Sequence, residues 1–217
     1  MTAEPAIPSA FPDTLAVFPL NAVLFPRSVL PLNIFEPRYL NMFDDAMASH
    51  KMIGMIQPFG DDRAAPMLAK VGCVGRISSY SETSDGRYKV ILTGATRFRV
   101  KEELSVQTPY RQVSAEYDLF ADDLEEPTGD MIPDRLRLEA ALQIYADNQG
   151  SRPDWDAFHK MPMELLIHAL IANCPFRPIE KQALLEAPDL QKRSEILITL
   201  FSQSDNDTNE KHSGHGQ

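Results

Sequence analysis

Phe18-Pro19-Leu20-Asn21-Ala22-Val23-Leu24-Phe25-Pro26 is apolar apart from Asn21, yet it carries prolines at both 19 and 26. Proline locks φ and removes a backbone donor, so the stretch cannot run on as one regular element. It reads as the end of a short strand, Leu15 to Leu20, followed by a turn-rich piece from Asn21 to Pro31 that is broken at Pro26 and Pro31. The residues before Asp13 are small and proline-rich and read as a flexible leader, residues 1–12.

Toward the C-terminus, Leu32 to Phe35 forms a second strand candidate. Pro37 suits the first turn of a helix, and Tyr39, Phe43, Ala46 and Met47 recur with helical spacing up to Ser49. Glu36 sits at the positive end of that helix dipole. Met52 to Pro58 reads as a buried strand. Val71, Cys73 and Ile77 share one face of another, with Gly72 and Gly75 allowing close approach or a bulge. Ser84-Asp85-Gly86 marks a turn. Beyond it Tyr88, Val90 and Leu92 alternate, Gly94 breaks the strand, and Arg97 to Lys101 resumes with basic side chains outward and Phe98 and Val100 inward. Val113, Ala115 and Tyr117 suggest one more strand. Residues 13–120 therefore hold about six or seven short strands and one helix, as in a small barrel or sandwich.

The period then changes. Residues 121–133 are acidic and proline-containing and read as a solvated linker. Leu138, Leu142 and Tyr145 mark a helix, as do Met163, Leu166, Ile167 and Leu170. Pro178 opens a third helix, and Asp189 caps a fourth that runs through Leu197 and Phe201. The helical subdomain spans 134–202, and the polar residues 203–217 are expected to be a disordered tail. The fold class is α+β: a small β-barrel subdomain followed by a helical bundle.

The 217 residues are 43% hydrophobic and 24% charged, enough for a sizeable core, and the formal net charge is -10. Phosphate backbones and anionic membranes reward Lys and Arg, so neither nucleic acid nor membrane is an expected partner. No run is long and apolar enough for a spanning helix, and Cys73 and Cys174 read as two thiols in a reducing cytoplasm. Phosphate-cradling P-loop, G-x-S-x-G and H-E-x-x-H patterns are missing. His168 reads as a histidine at the edge of the core. Neither an enzyme activity, a cofactor nor a metal is expected.

Several blocks carry a resemblance. Phe18 to Pro26 with Leu30-Pro31-Leu32 resembles the opening motif of the Lon protease N-terminal domain, and Ile34 to Tyr39 resembles the form found in its short, free-standing members. Val71 to Ile77, Asp85 to Tyr88 and Thr93 to Phe98 follow in the same order, then Cys174-Pro175-Phe176 and Glu180 to Glu186. The resemblance covers residues 13–202. It implies a six-stranded, PUA-like barrel followed by a helical bundle. It also implies a role in recognising unfolded or degron-bearing proteins, as an adaptor or holdase working with a protease or chaperone. An RNA-associated PUA-like module is the alternative, opposed by the net charge. The ATPase and protease chemistry of Lon is not carried over.

Two groups are candidates for peptide binding. Val23, Leu24 and Phe25 lie on a proline-bounded loop that either presents them to a ligand or plugs the barrel end. Glu36, Arg38 and Tyr39 either line a pocket at a helix N-terminus, suited to an anion or a peptide carboxylate, or form a local ion pair beside a core tyrosine. Trp155 reads chiefly as a packing residue of the helices.

Overall fold

The computed structural model describes residues 11–60, 66–127 and 133–212. The expected leader thus lies almost wholly outside the described residues, as do 128–132 of the linker and 213–217 of the tail. The chain divides into two compact units. One comprises residues 1–126 with 177–185, the other residues 127–176 with 186–217. Residues 177–185, from the stretch read as helical subdomain, thus group with the strands.

The first unit holds β1 (Thr14–Pro19), β2 (Val29–Ile34), helix α1 (Pro37–Ala48), β3 (Met52–Ile56), β4 (Pro58–Phe59), β5 (Met67–Leu68), β6 (Val71–Glu82), β7 (Tyr88–Glu103) and β8 (Gln112–Glu116). Strand order is β2-β7-β6-β3-β1-β8, and β8 pairs again with β7, so β7, β6, β3, β1 and β8 close a ring. β1 and β3 run parallel; the other pairings are antiparallel. β7 achieves closure through its length. Its first half pairs with β2, Val29 opposite Thr93, and its second half pairs with β8, Arg99 opposite Glu116.

Gly94 lies at that change of partner. The expected strand break is not there, because β7 continues through it. Its amide donates to the Ser28 carbonyl at 2.9 Å and its carbonyl accepts from the Arg27 amide at 2.8 Å. The opening motif is thereby stitched to the middle of β7. A Cβ at position 94 would fall 1.9 Å from the Phe25 carbonyl oxygen, so only glycine permits this approach. Register shifts between Val74 and Gly75 and between Ile77 and Ser79 on β6 help the long hairpin bend.

Strand alternation sends side chains into two cores. Leu15, Val17, Met52, Ile56, Val74, Phe98 and Val113 fill the ring. Phe18, Ile53, Met55, Cys73, Val90 and Leu92 point the other way and pack under Tyr39, Met42, Phe43 and Ala46 of α1. Those four residues stand at i, i+3, i+4 and i+7, which is why this segment is helical and why one face is covered. Each large apolar side chain so buried contributes about 1.5–3 kcal/mol.

Gln57, between β3 and β4, is 1% exposed, and its side-chain amide has no hydrogen-bond partner among the described residues. A buried amide left unpaired costs about 1–3 kcal/mol. Gln57→Met, similar in volume, is expected to raise stability by about 1–2 kcal/mol in urea denaturation. A loss of stability would show that the amide is hydrogen-bonded in solution.

After β8 the chain makes a 3-10 helix, Asp118–Leu124, where the acidic linker was expected to begin. Arg97 is buried against Asp123, which corrects the expectation that this outward arginine faces solvent. The carboxylate accepts from the Arg97 backbone amide at 2.8 Å, from Nε at 2.9 Å and from Nη2 at 2.8 Å. Arg97 Nη1 donates to the Leu185 carbonyl at 3.1 Å, and its guanidinium lies 4.7 Å from the Phe120 ring centre. Arg27 donates to the Asp123 carbonyl. Helix α5 (Pro178–Glu186) reaches the barrel through Gln182 Nε2, which donates to the Val71 carbonyl at 3.0 Å.

The second unit contains α2 (Arg135–Gln149), α3 (Trp155–Lys160), α4 (Met163–Asn173) and α6 (Leu190–His212). Asp134 and Asp154 cap α2 and α3, and Asp189 accepts from the Lys192 amide at 2.7 Å as expected. Gly150 ends α2 in the left-handed region. Tyr145 of α2 packs on Phe201 of α6 with ring centres 4.8 Å apart. His168 is buried deeper than an edge position, and its Nε2 accepts from Arg193 at 3.0 Å. Trp155 packs edge-on against Phe158 within α3. The α6 backbone runs to His212, past the point where a disordered tail was expected.

Candidate functional site

At one end of the barrel the chain opens a cleft of about 770 Å³. Its walls come from the end of β1 (Pro19), the start of α1 (Arg38, Tyr39), the β4–β5 hairpin (Pro58, Pro66, Met67), the end of β7 (Glu103), and the segment entering β8 (Pro109, Tyr110, Arg111). Four prolines among these residues add apolar ring faces and no backbone donors. Met67 is 69% exposed, an unusual position for so apolar a side chain.

The polar groups are arranged in pairs. Arg111 donates from Nε and Nη2 to the two oxygens of Glu103, each at 2.5 Å, and from Nη1 to the Pro66 carbonyl at 2.7 Å. That three-way grip ties the segment before β8 to β7 and to the hairpin. Arg38 pairs with Glu36 through Nε at 3.0 Å and Nη2 at 2.8 Å, and its guanidinium lies 4.5 Å from the Tyr39 ring centre. Tyr110 donates to Asp45 Oδ2 at 2.7 Å. Burial, then the Asp45 hydrogen bond, pushes the Tyr110 phenol up to about 12. Burial also raises the Tyr39 phenol, against the opposing pull of Arg38. Both tyrosines are therefore neutral hydroxyls across the ordinary pH range.

Among the described residues no group of His, Cys, Asp and Glu could hold a metal ion, and no helix is long and apolar enough to cross a membrane. Cys73 is buried and Cys174 half-buried, and both are thiols.

The model of the ATP-dependent protease La (LON) substrate-binding domain matches residues 14–203. The chain belongs to the Lon substrate-binding domain family. It is 34% identical over 215 residues to Lon protease 2 of Sorangium cellulosum, covering 90% of this chain and 25% of that protein. It is 30% identical over 190 residues to Lon protease of Flavobacterium johnsoniae, covering 84% of this chain and 23% of that one. The chain thus spans about a quarter of these curated relatives. A Lon N-terminal domain protein from Xanthomonas campestris superposes with a TM-score of 0.60 at 22% identity, over 86% of this chain and 97% of that one. The N-terminal domain of a Mycobacterium avium complex Lon protease gives 0.62 at 17% identity, over 87% and 98%. These two likenesses bear on the fold, and they agree with the expected α+β class.

Within this Lon-family fold the residues singled out from sequence separate into two groups. Arg38 and Tyr39 line the cleft, and Glu36 is bound to Arg38 at its edge. Val23, Leu24 and Phe25 are buried, with Leu24 in the core beneath α1, and they do not line the cleft. The other cleft residues were not singled out. Met67 and the prolines at 58, 66 and 109 carry no motif, and only the chain's return to one barrel end brings them together.

Proposed function

We propose that this cleft holds an extended segment of an unfolded or degron-bearing protein. The chain is then a non-catalytic peptide-binding module that serves as an adaptor or holdase, handing clients to a protease or chaperone in the cytoplasm. The observation that carries this reading is a cleft walled by proline and tyrosine rings beside an exposed methionine, in a member of the Lon substrate-binding family. Rigid rings offer contact area at little entropic cost, and a thioether adapts to varied side chains, which suits a surface that must accept many sequences. The paired arginines supply donors for backbone carbonyls of a bound chain.

The test is fluorescence anisotropy with a reduced and alkylated, permanently unfolded protein, without nucleotide. Met67→Glu should weaken binding by about tenfold or more while leaving the melting temperature unchanged, because the side chain is solvent-facing. Unchanged binding in that variant would remove the cleft from the proposal. No binding by the wild-type chain would end the binding-module reading.

A further inference from the structure

The cleft has a chemically distinct corner at the N-terminus of α1. Tyr39 is only 6% exposed and lines the cleft, yet its hydroxyl makes no hydrogen bond with any described residue. Arg38 and Arg111 line the same cleft as Tyr39. The ring packs on Phe18, with centres 4.2 Å apart, and the Arg38 guanidinium lies over its face. The donor is thus fixed in place and unspent.

Arg38 adds donors at the same point. Glu36 takes its Nε and Nη2, and Nη1 has no hydrogen-bond partner among the described residues. The side chain is half-exposed, so the remaining N–H groups are open to a ligand. The positive end of the α1 dipole lies at the same place, since Pro37 opens the helix. Arg38 and Tyr39 thus bring a hydroxyl and a guanidinium edge to the cleft wall where α1 begins, and hydroxyl, guanidinium and helix N-terminus all reward an acceptor bearing negative charge. Next to them the walls are apolar rings and Met67. The complementary ligand is a carboxylate joined to an apolar residue.

We propose that this corner recognises the free C-terminal carboxylate of a peptide chain whose last residue is apolar, with the carboxylate on Tyr39 Oη and Arg38 Nη1 and the last side chain against the proline and methionine walls. This rests on the cleft being the peptide site and adds the end of the chain that enters it. Glu36 acts as the internal stand-in, occupying part of the Arg38 fork while no ligand is bound.

The experiment uses a short fluorescein-labelled peptide of uncharged residues ending in Phe, as the free acid and as the C-terminal amide. Binding is read by anisotropy with the full chain. The free acid should bind at least about tenfold more tightly, as a charge-assisted contact would give. Tyr39→Phe and Arg38→Gln should each shrink that ratio severalfold. Thermal melts of both variants should match the wild type, since the Tyr39 hydroxyl is unused in the fold and Arg38 is exposed. Equal binding of acid and amide, with both lost in Met67→Glu, would overturn the carboxylate assignment and leave the peptide cleft standing. A preference for the acid that survives in both variants would also overturn it, by placing the carboxylate elsewhere. If acetate or phosphate alone displaces the peptide at the same concentration as a second unlabelled free-acid peptide, the corner is an anion site with no reading of the chain end, and the proposal fails.

Discussion

Gly94→Ala is expected to destabilise the barrel by about 4 kcal/mol or more, enough to leave little folded protein at ordinary temperature. The added methyl would meet a backbone carbonyl oxygen at 1.9 Å. A side-chain neighbour could rotate away, but the Phe25 carbonyl cannot. It belongs to the turn in which Ser28 donates back to Phe25, and that turn is hydrogen-bonded to β7 at Gly94 on both its donor and acceptor sides. Relief would require lifting the whole loop from 20 to 28, with Leu24 and Phe25 leaving the core. Gly86→Ala is the contrasting variant. That residue, unlike Gly94, has a left-handed backbone, with φ of 76°, and no heavy atom lies within 4 Å of its added Cβ. Its cost is the local strain alone, about 1–2 kcal/mol. Urea denaturation of the two variants side by side separates close approach from backbone conformation. Stability of Gly94→Ala within about 1 kcal/mol of wild type would show that the loop is not held against β7.

Arg97→Met is the second large effect, expected at about 3–5 kcal/mol. It strands the Asp123 carboxylate in a buried site with the Arg97 backbone amide as its remaining partner at that position, and it releases the Leu185 carbonyl from the guanidinium. Asp123→Leu should cost a similar amount by leaving the guanidinium partly uncompensated. The double variant should lose clearly less than the sum, because two apolar side chains no longer bury a lone charge. A double-mutant cycle in urea measures that coupling, and strict additivity would refute the pairing as a stabilising unit. A pair so buried is poorly screened, so the single-variant losses should change little with salt.

Much of the architecture was legible before any coordinates. Tyr39, Phe43 and Ala46 announced α1 by spacing, Asp189 announced the start of α6, and the change from period 2 to period 3.6 located the helices. Gly94 was noticed, but as a break. A glycine in a strand signals that something comes close, and the sequence does not say whether the chain stops there or another segment crosses it. The short α3 escaped because six residues hold too few turns to display a period.

The candidate site was half legible. Arg38 and Tyr39 stood out because a helix N-terminus is itself a local feature. Pro58, Met67, Pro109 and Arg111 did not, since each is unremarkable in its own stretch.

Arg97 shows most clearly where sequence stops and tertiary structure begins. Alternation along Arg97, Phe98, Arg99 and Val100 determined that Phe98 enters the barrel and that Arg97 faces away from it, and both hold. It could not determine what lies over the outer face. The 3-10 helix and α5 cover Arg97 and leave Arg99 more open, paired with Glu116. Periodicity is a property of the backbone, so it is written locally and survives in the sequence. Burial of an outward side chain, and the gathering of separate loops into a cleft, depend on which distant segments fold back over the same face, and only the tertiary structure decides that.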